Sequence, residues 1–168
     1  RGNRQRRGRG RRQYFGNGKL LFWRFETKRR SSIFKESFLK LPDFKKVKHV
    51  VIIPNFKENL DKLRQTVRSI ASQTLSVKQI FVVLGMEKRE EDGMKKANSI
   101  IKEFKNAFGD IFATYHPDID AEVKGKSSNE SYASKKAYCK LIKTGIIDIN
   151  FTTISSVDAD SVFDKQYF

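Results

Sequence analysis

Two carboxylates one residue apart, Asp158 and Asp160, follow the apolar run from Asn150 to Val157. A strand that ends in Asp-x-Asp delivers hard oxygen donors to its C-terminal edge, and divalent cations share such oxygens with phosphate. The pair therefore points to chemistry on an activated nucleotide, with Mg2+ or Mn2+ held against a diphosphate. Asp118 and Asp120 have the same spacing but follow His116-Pro117 in a polar stretch that reads as loop, where no strand fixes the side chains. Spacing alone does not separate the two pairs. Their surroundings do.

Those surroundings alternate strand and helix. His49 to Pro54 is a short apolar run stopped by proline, as expected of a buried parallel strand. Asn59 is placed to cap a helix on which Leu60, Leu63, Val67, Ile70 and Ala71 recur at helical spacing. Gln79 to Leu84 reads as a second strand ended by Gly85. Met94, Ala97, Ile101, Phe104 and Phe108 then mark an amphipathic helix closed by Gly109. Ile111 to Tyr115 is a third strand. Tyr132, Ala137, Tyr138, Leu141 and Ile142 predict a helix ending near Gly145, and Phe151 to Val157 is the fourth strand. The pattern implies an α/β fold, an open, mostly parallel sheet with helices on both faces, Rossmann-like in organisation. Such sheets bind ligands outside the carboxyl ends of their strands. Pro54 to Glu58, Gly85 to Glu87 and Asp158 to Asp160 all fall on that edge.

Charge divides the chain differently. Of its 168 residues, those before His49 carry seventeen Lys and Arg against three Asp and Glu, and the remainder eighteen against sixteen. Nearly all of the net charge of +16 thus belongs to an N-terminal extension, residues 1–47, and the domain over 48–168 is near neutral. Residues 1–13 are Arg/Gly-rich and nearly devoid of apolar side chains, which predicts disorder. Tyr14, Phe15, Leu20, Leu21, Phe22, Trp23 and Phe25 follow, mixed with Lys and Arg, a composition suited to a membrane interface or a nucleic acid. One cysteine excludes a disulfide framework, and Cys139, inside a helical pattern, is expected as a small buried hydrophobe. No stretch approaches the length of a bilayer span. The chain begins with Arg1 and reads as a piece of a longer protein.

The ordered set Val51-Ile-Ile-Pro54-Asn-Phe-Lys-Glu58, Ser69-Ile-Ala-Ser-Gln73, Phe81-Val-Val, Gly125-Lys-Ser-Ser-Asn129 and Val157-Asp-Ala-Asp160 resembles the nucleotide-binding half of family-2 glycosyltransferases with the GT-A fold, over residues 48–168. The resemblance implies that Pro54, Phe56 and Glu58 line the base and ribose, with Lys57 standing where the family usually has Asn. It implies that Glu87 replaces the family's strand-end aspartate, in a Met-Glu sequence like that of membrane-embedded members. Lys126 and Asn129 are carried over as nucleotide contacts, Asp158 as a ligand of ribose or metal, and Asp160 as a direct ligand of Mn2+ or Mg2+.

By the same resemblance the donor is a nucleoside-diphosphate sugar, a UDP-sugar in preference. The acceptor is a carbohydrate or lipid hydroxyl, and the reaction is inverting. The catalytic base is expected beyond Phe168, so this chain alone is expected to bind donor without transferring sugar. The full protein is expected at a membrane, with this domain on the cytoplasmic side and the basic arm against anionic lipid rather than nucleic acid. Two rivals stand beside this reading. One is a phosphatase-like hydrolase with Asp158 as nucleophile, although three strand-helix units precede the motif here. The other is an RNA-binding protein acting through the Arg/Gly-rich arm.

Overall fold

A computed structural model describes residues 43–120 and 122–168. The extension expected over residues 1–47 lies, up to Pro42, outside the described residues. One compact unit spans Pro42–Phe168. It contains β1 (Lys48–Pro54), α1 (Leu60–Ala71), β2 (Ile80–Glu87), α2 (Gly93–Phe104), β3 (Asp110–His116), α3 (Lys126–Ala137) and β4 (Thr152–Ser156). All strands are parallel, in the order β3-β2-β1-β4. The α/β fold expected from the alternation is the one observed.

The two central strands are apolar on both sides because both faces are covered. Val51 and Ile53 of β1 pack with Val82 and Leu84 of β2 under α1 and α2, whose Leu63, Val67, Ile70, Ala97, Ile100 and Phe104 close that core. The opposite side chains, Val50, Ile52, Phe81 and Val83, meet Ala133 and Ala137 of α3 and Leu141 beyond it. The chain steps outward from β1 to β3 and returns to place β4 on the other side of β1. That reversal opens a crevice between β1 and β4 at the C-terminal edge, the switch point where open α/β sheets bind ligands.

Several local expectations change. Asn59 caps α1 as expected, its side chain accepting from the Asp61 N–H at 2.7 Å. β2 does not end at Gly85 but runs on to Glu87, paired with β3 throughout. The buried stripe of α2 is Ala97, Ile100 and Phe104, while Met94 is 59% exposed. Gly109 caps nothing, since α2 ends at Phe104. A Cβ there would lie 2.7 Å from the Lys78 carbonyl oxygen and 2.8 Å from the Phe81 ring, so glycine permits a close crossing. After α3, a wider turn over Tyr138–Ile142 precedes Gly145, which takes φ 73°, the left-handed conformation suited to a helix end. Cys139 on that turn is exposed, contrary to expectation, because the buried positions are Ala133, Ala137 and Leu141, four residues apart. β4 is an edge strand with Ile154 64% exposed. No helix among the described residues is long and apolar enough to cross a membrane.

Candidate functional site

The crevice between β1 and β4 is a cleft of about 310 Å³. Four separated segments build it: Pro54, Asn55, Phe56 and Glu58 after β1; Glu87 and Arg89 at the end of β2; Gly125, Lys126 and Asn129 at the start of α3; and Asp158, Ala159 and Asp160 after β4. Every residue singled out from the sequence for nucleotide or metal lies on this one wall. Asp118 does not; its carboxylate pairs with Lys124 in the loop, at 2.7 Å, which holds it below the usual carboxylate range.

The acidic pair is placed by strand alternation. Val157 and Ala159 turn into the core, so the intervening Asp158 and the following Asp160 both face solvent. Ladder pairing persists past β4, since the Val157 N–H donates to the Ile52 carbonyl at 3.0 Å. The next turn closes through the Ser161 N–H and the backbone carbonyl of Asp158, so neither carboxylate is spent on capping. Ala159 packs inward on the core and also lines the cleft.

A polar stripe on and after α1 holds this segment. The Thr66 hydroxyl donates to the Ala159 carbonyl at 2.9 Å, and Ser69 Oγ accepts from the Phe163 N–H at 3.1 Å. Gln73 Nε2 donates to the Asp164 carbonyl at 2.6 Å, while its Oε1 accepts from the Tyr167 and Phe168 N–H groups. Buried polar side chains need partners, and these three find theirs in the backbone that carries the carboxylates. Sequence reading matched Ser69 to Gln73 to a motif without this reason.

Gly85 lies behind the lining and ties two of its residues together. Its carbonyl accepts from the Asn55 N–H and from Asn129 Nδ2, both at 2.7 Å. Asn55 Nδ2 donates to Glu90 Oε2 at 3.1 Å, and Lys96 ties Glu90 to the Glu58 carbonyl. The remaining amide oxygens, Asn55 Oδ1 and Asn129 Oδ1, are buried without a partner among the described residues. Both oxygens lie just beneath the cleft surface, and a buried acceptor left unmet is costly.

Charge is distributed unevenly. Lys126 Nζ bonds Asp158 Oδ1, and this contact, with the nearby Glu130, raises the lysine pKa. Glu87, only 5% exposed, pairs with Arg89, whose guanidinium lies 3.8 Å over the Phe56 ring and whose pKa is raised by that carboxylate. Arg89 and Asn55 had no role in the sequence reading. Asn55 had the signal of position, a polar residue directly after an apolar strand, whereas Arg89, two residues past β2, had none. Lys57 has φ 64°, a left-handed conformation that Asn tolerates better than Lys.

Four carboxylates and two cations line the cleft, so a diphosphate would meet net repulsion unless a cation came with it. No group of three or more potential ligands is gathered among the described residues. Two exposed carboxylates do match Mg2+ or Mn2+ that completes its shell with water and substrate phosphate. Asp158 and Asp160 fit the implied metal on those terms. Among known proteins, neither a family model nor a curated sequence matches the chain.

Proposed function

We propose that residues 48–168 are the donor-binding half of a metal-dependent glycosyltransferase, taking the diphosphate end of a nucleoside-diphosphate sugar in the β1/β4 cleft. One observation carries this reading: four distant segments that resemble family-2 glycosyltransferase motifs converge on one cleft at the switch point of a parallel sheet. Phe56 and Pro54 offer apolar surface to the base. Asn55 and Asn129, which line the cleft, would turn an amide oxygen outward to accept from base N–H or ribose O–H groups when donor binds. Lys126 and the first N–H groups of α3 face the phosphates. Asp158 and Asp160 would hold Mg2+ or Mn2+, which when bound counters the charge that develops on the departing nucleoside diphosphate.

UDP is the preferred nucleotide, and the acceptor is a carbohydrate or lipid hydroxyl. No residue of the described cleft is assigned as the base that deprotonates it. The basic aromatic stretch, residues 1–47, is proposed to lie on anionic lipid; deletion of residues 1–30 would then abolish vesicle binding, and loss of RNA binding alone would refute the lipid role.

Calorimetry of UDP and GDP with and without Mn2+ tests the site. Metal-dependent UDP binding should weaken at least about ten-fold in Asp160→Ala. Binding indifferent to metal and to that substitution would defeat the assignment. Steady release of phosphate from a phosphomonoester, lost in Asp158→Asn, would replace the transferase with a hydrolase.

A further inference from the structure

A second concavity of about 390 Å³ runs between β3 and α3, outside the β1/β4 cleft. Lys140 Nζ bonds Asp110 Oδ2 at 2.7 Å at one end of β3, and His116 packs edge-on to Tyr132 at the other. The helix therefore runs antiparallel to the strand, and the concavity is a trough along the strand's length. Consecutive residues 112–115 all line it. Since side chains alternate between faces along a strand, a wall made of four in a row means the trough also opens onto the backbone edge. Among the described residues β3 is the last strand of the sheet on this side, and none of them pairs with its outer N–H and C=O groups.

Exposed edges are usually blunted by lysine, proline or a bulge on the edge strand itself. The sequence Asp-Ile-Phe-Ala-Thr-Tyr-His of β3 contains no lysine or proline, and its register with β2 is unbroken from Asp110 to His116. The cations come from elsewhere. Lys136 and Lys140 rise beside the trough from α3 and the turn after it, and Lys88 stands at the end of β2; no carboxylate joins the lining. Lys136 on α3 and Lys140 on the wider turn after it, the latter shared with Asp110, are four residues apart, roughly one turn or about 5–6 Å. That matches the roughly 6.6 Å between alternate side chains of an extended strand. At the base of the trough, Thr114 Oγ1 is buried without a partner among the described residues.

We propose that this trough docks an extended acidic polypeptide, which adds as a fifth strand beside β3 and sets alternate Asp or Glu side chains against Lys136 and Lys140. Backbone pairing supplies the affinity and the lysine spacing the choice of sequence. Cations set over an unblunted edge would leave an apolar or basic strand unpaired and admit an acidic one.

The test uses the full chain and a labelled peptide of about ten residues alternating Glu and Val. Lys136→Gln with Lys140→Gln should weaken binding about ten-fold, whereas Lys45→Gln with Lys46→Gln, an equal loss of charge on an exposed turn, should change it less than about two-fold. The same peptide with methylated backbone amides keeps its charges and loses its donors, and should bind far more weakly. Bound peptide should slow amide exchange over residues 110–116. Equal losses in the two double variants would overturn the proposal, as would full binding by the methylated peptide or unchanged exchange in β3. Single-stranded RNA that depends on Lys136 and Lys140 when the peptide does not would assign the trough to nucleic acid instead.

Discussion

Lys126 and Asp158 neutralise one another across 32 residues of sequence, and on the proposed reading they change partners when donor arrives, lysine to phosphate and carboxylate to cation. Lys126→Gln should therefore raise the affinity for Mn2+ alone while lowering that for UDP with Mn2+ by several-fold, opposite signs that calorimetry separates. Lys57 offers a simpler test, because its φ of 64° costs a β-substituted residue about 1 kcal/mol. Lys57→Asn should raise the denaturant midpoint by a corresponding amount, since Asn adopts this conformation more readily. His49 sets a pH dependence. Burial lowers its pKa below 6.5, and Nε2 has no partner among the described residues, while Nδ1 meets Thr153 Oγ1 at 2.9 Å. As pH falls through 6.5 the unfolded chain takes up the proton first, so stability declines with acidification below that value. Thermal melts at pH 7.5 and 5.5 should show the decline, and His49→Gln should lessen it.

At the scale of elements, Gly109 shows how a residue can be noticed for one reason and needed for another. Its place after an amphipathic stretch suggested a helix cap, but the crossing over Lys78 and Phe81 is what excludes a side chain. Gly109→Ala should cost about 1–3 kcal/mol in chemical denaturation, the range for overpacking. The central strands were legible because burial on both faces leaves an unbroken apolar run. Met94 and Cys139 were misplaced for a shared reason: Met94 sits one position and Cys139 two positions off a stripe that only contact with the sheet defines. The end of β2 was set too early because Gly85 reads as a terminator. Within the sheet it lies behind the cleft lining, 3.2 Å from the Asn129 amide oxygen at the position its Cβ would take.

For the whole molecule, sequence order indicated a parallel sheet and the edge on which its ligand would lie, but not the strand order that puts β4 beside β1. Nor could it show the pairing of Arg89 with Glu87 over Phe56, which depends on where β2 stops. A ligand that joins all four segments of the cleft should stabilise the entire unit. UDP with Mn2+ at about a hundred times its dissociation constant should add roughly 2.7 kcal/mol, a gain absent in Asp160→Ala. The stripe of Thr66, Ser69 and Gln73 has a consequence in time. Its partners lie 91 to 95 residues downstream, so at about 5–20 residues per second a nascent chain waits roughly 5–20 seconds before they are made. Until then Thr66, Ser69 and Gln73 hold only their local bonds, to the carbonyls of Lys62, Thr66 and Ser69. The carboxylate segment is thus made well after the stripe that receives it.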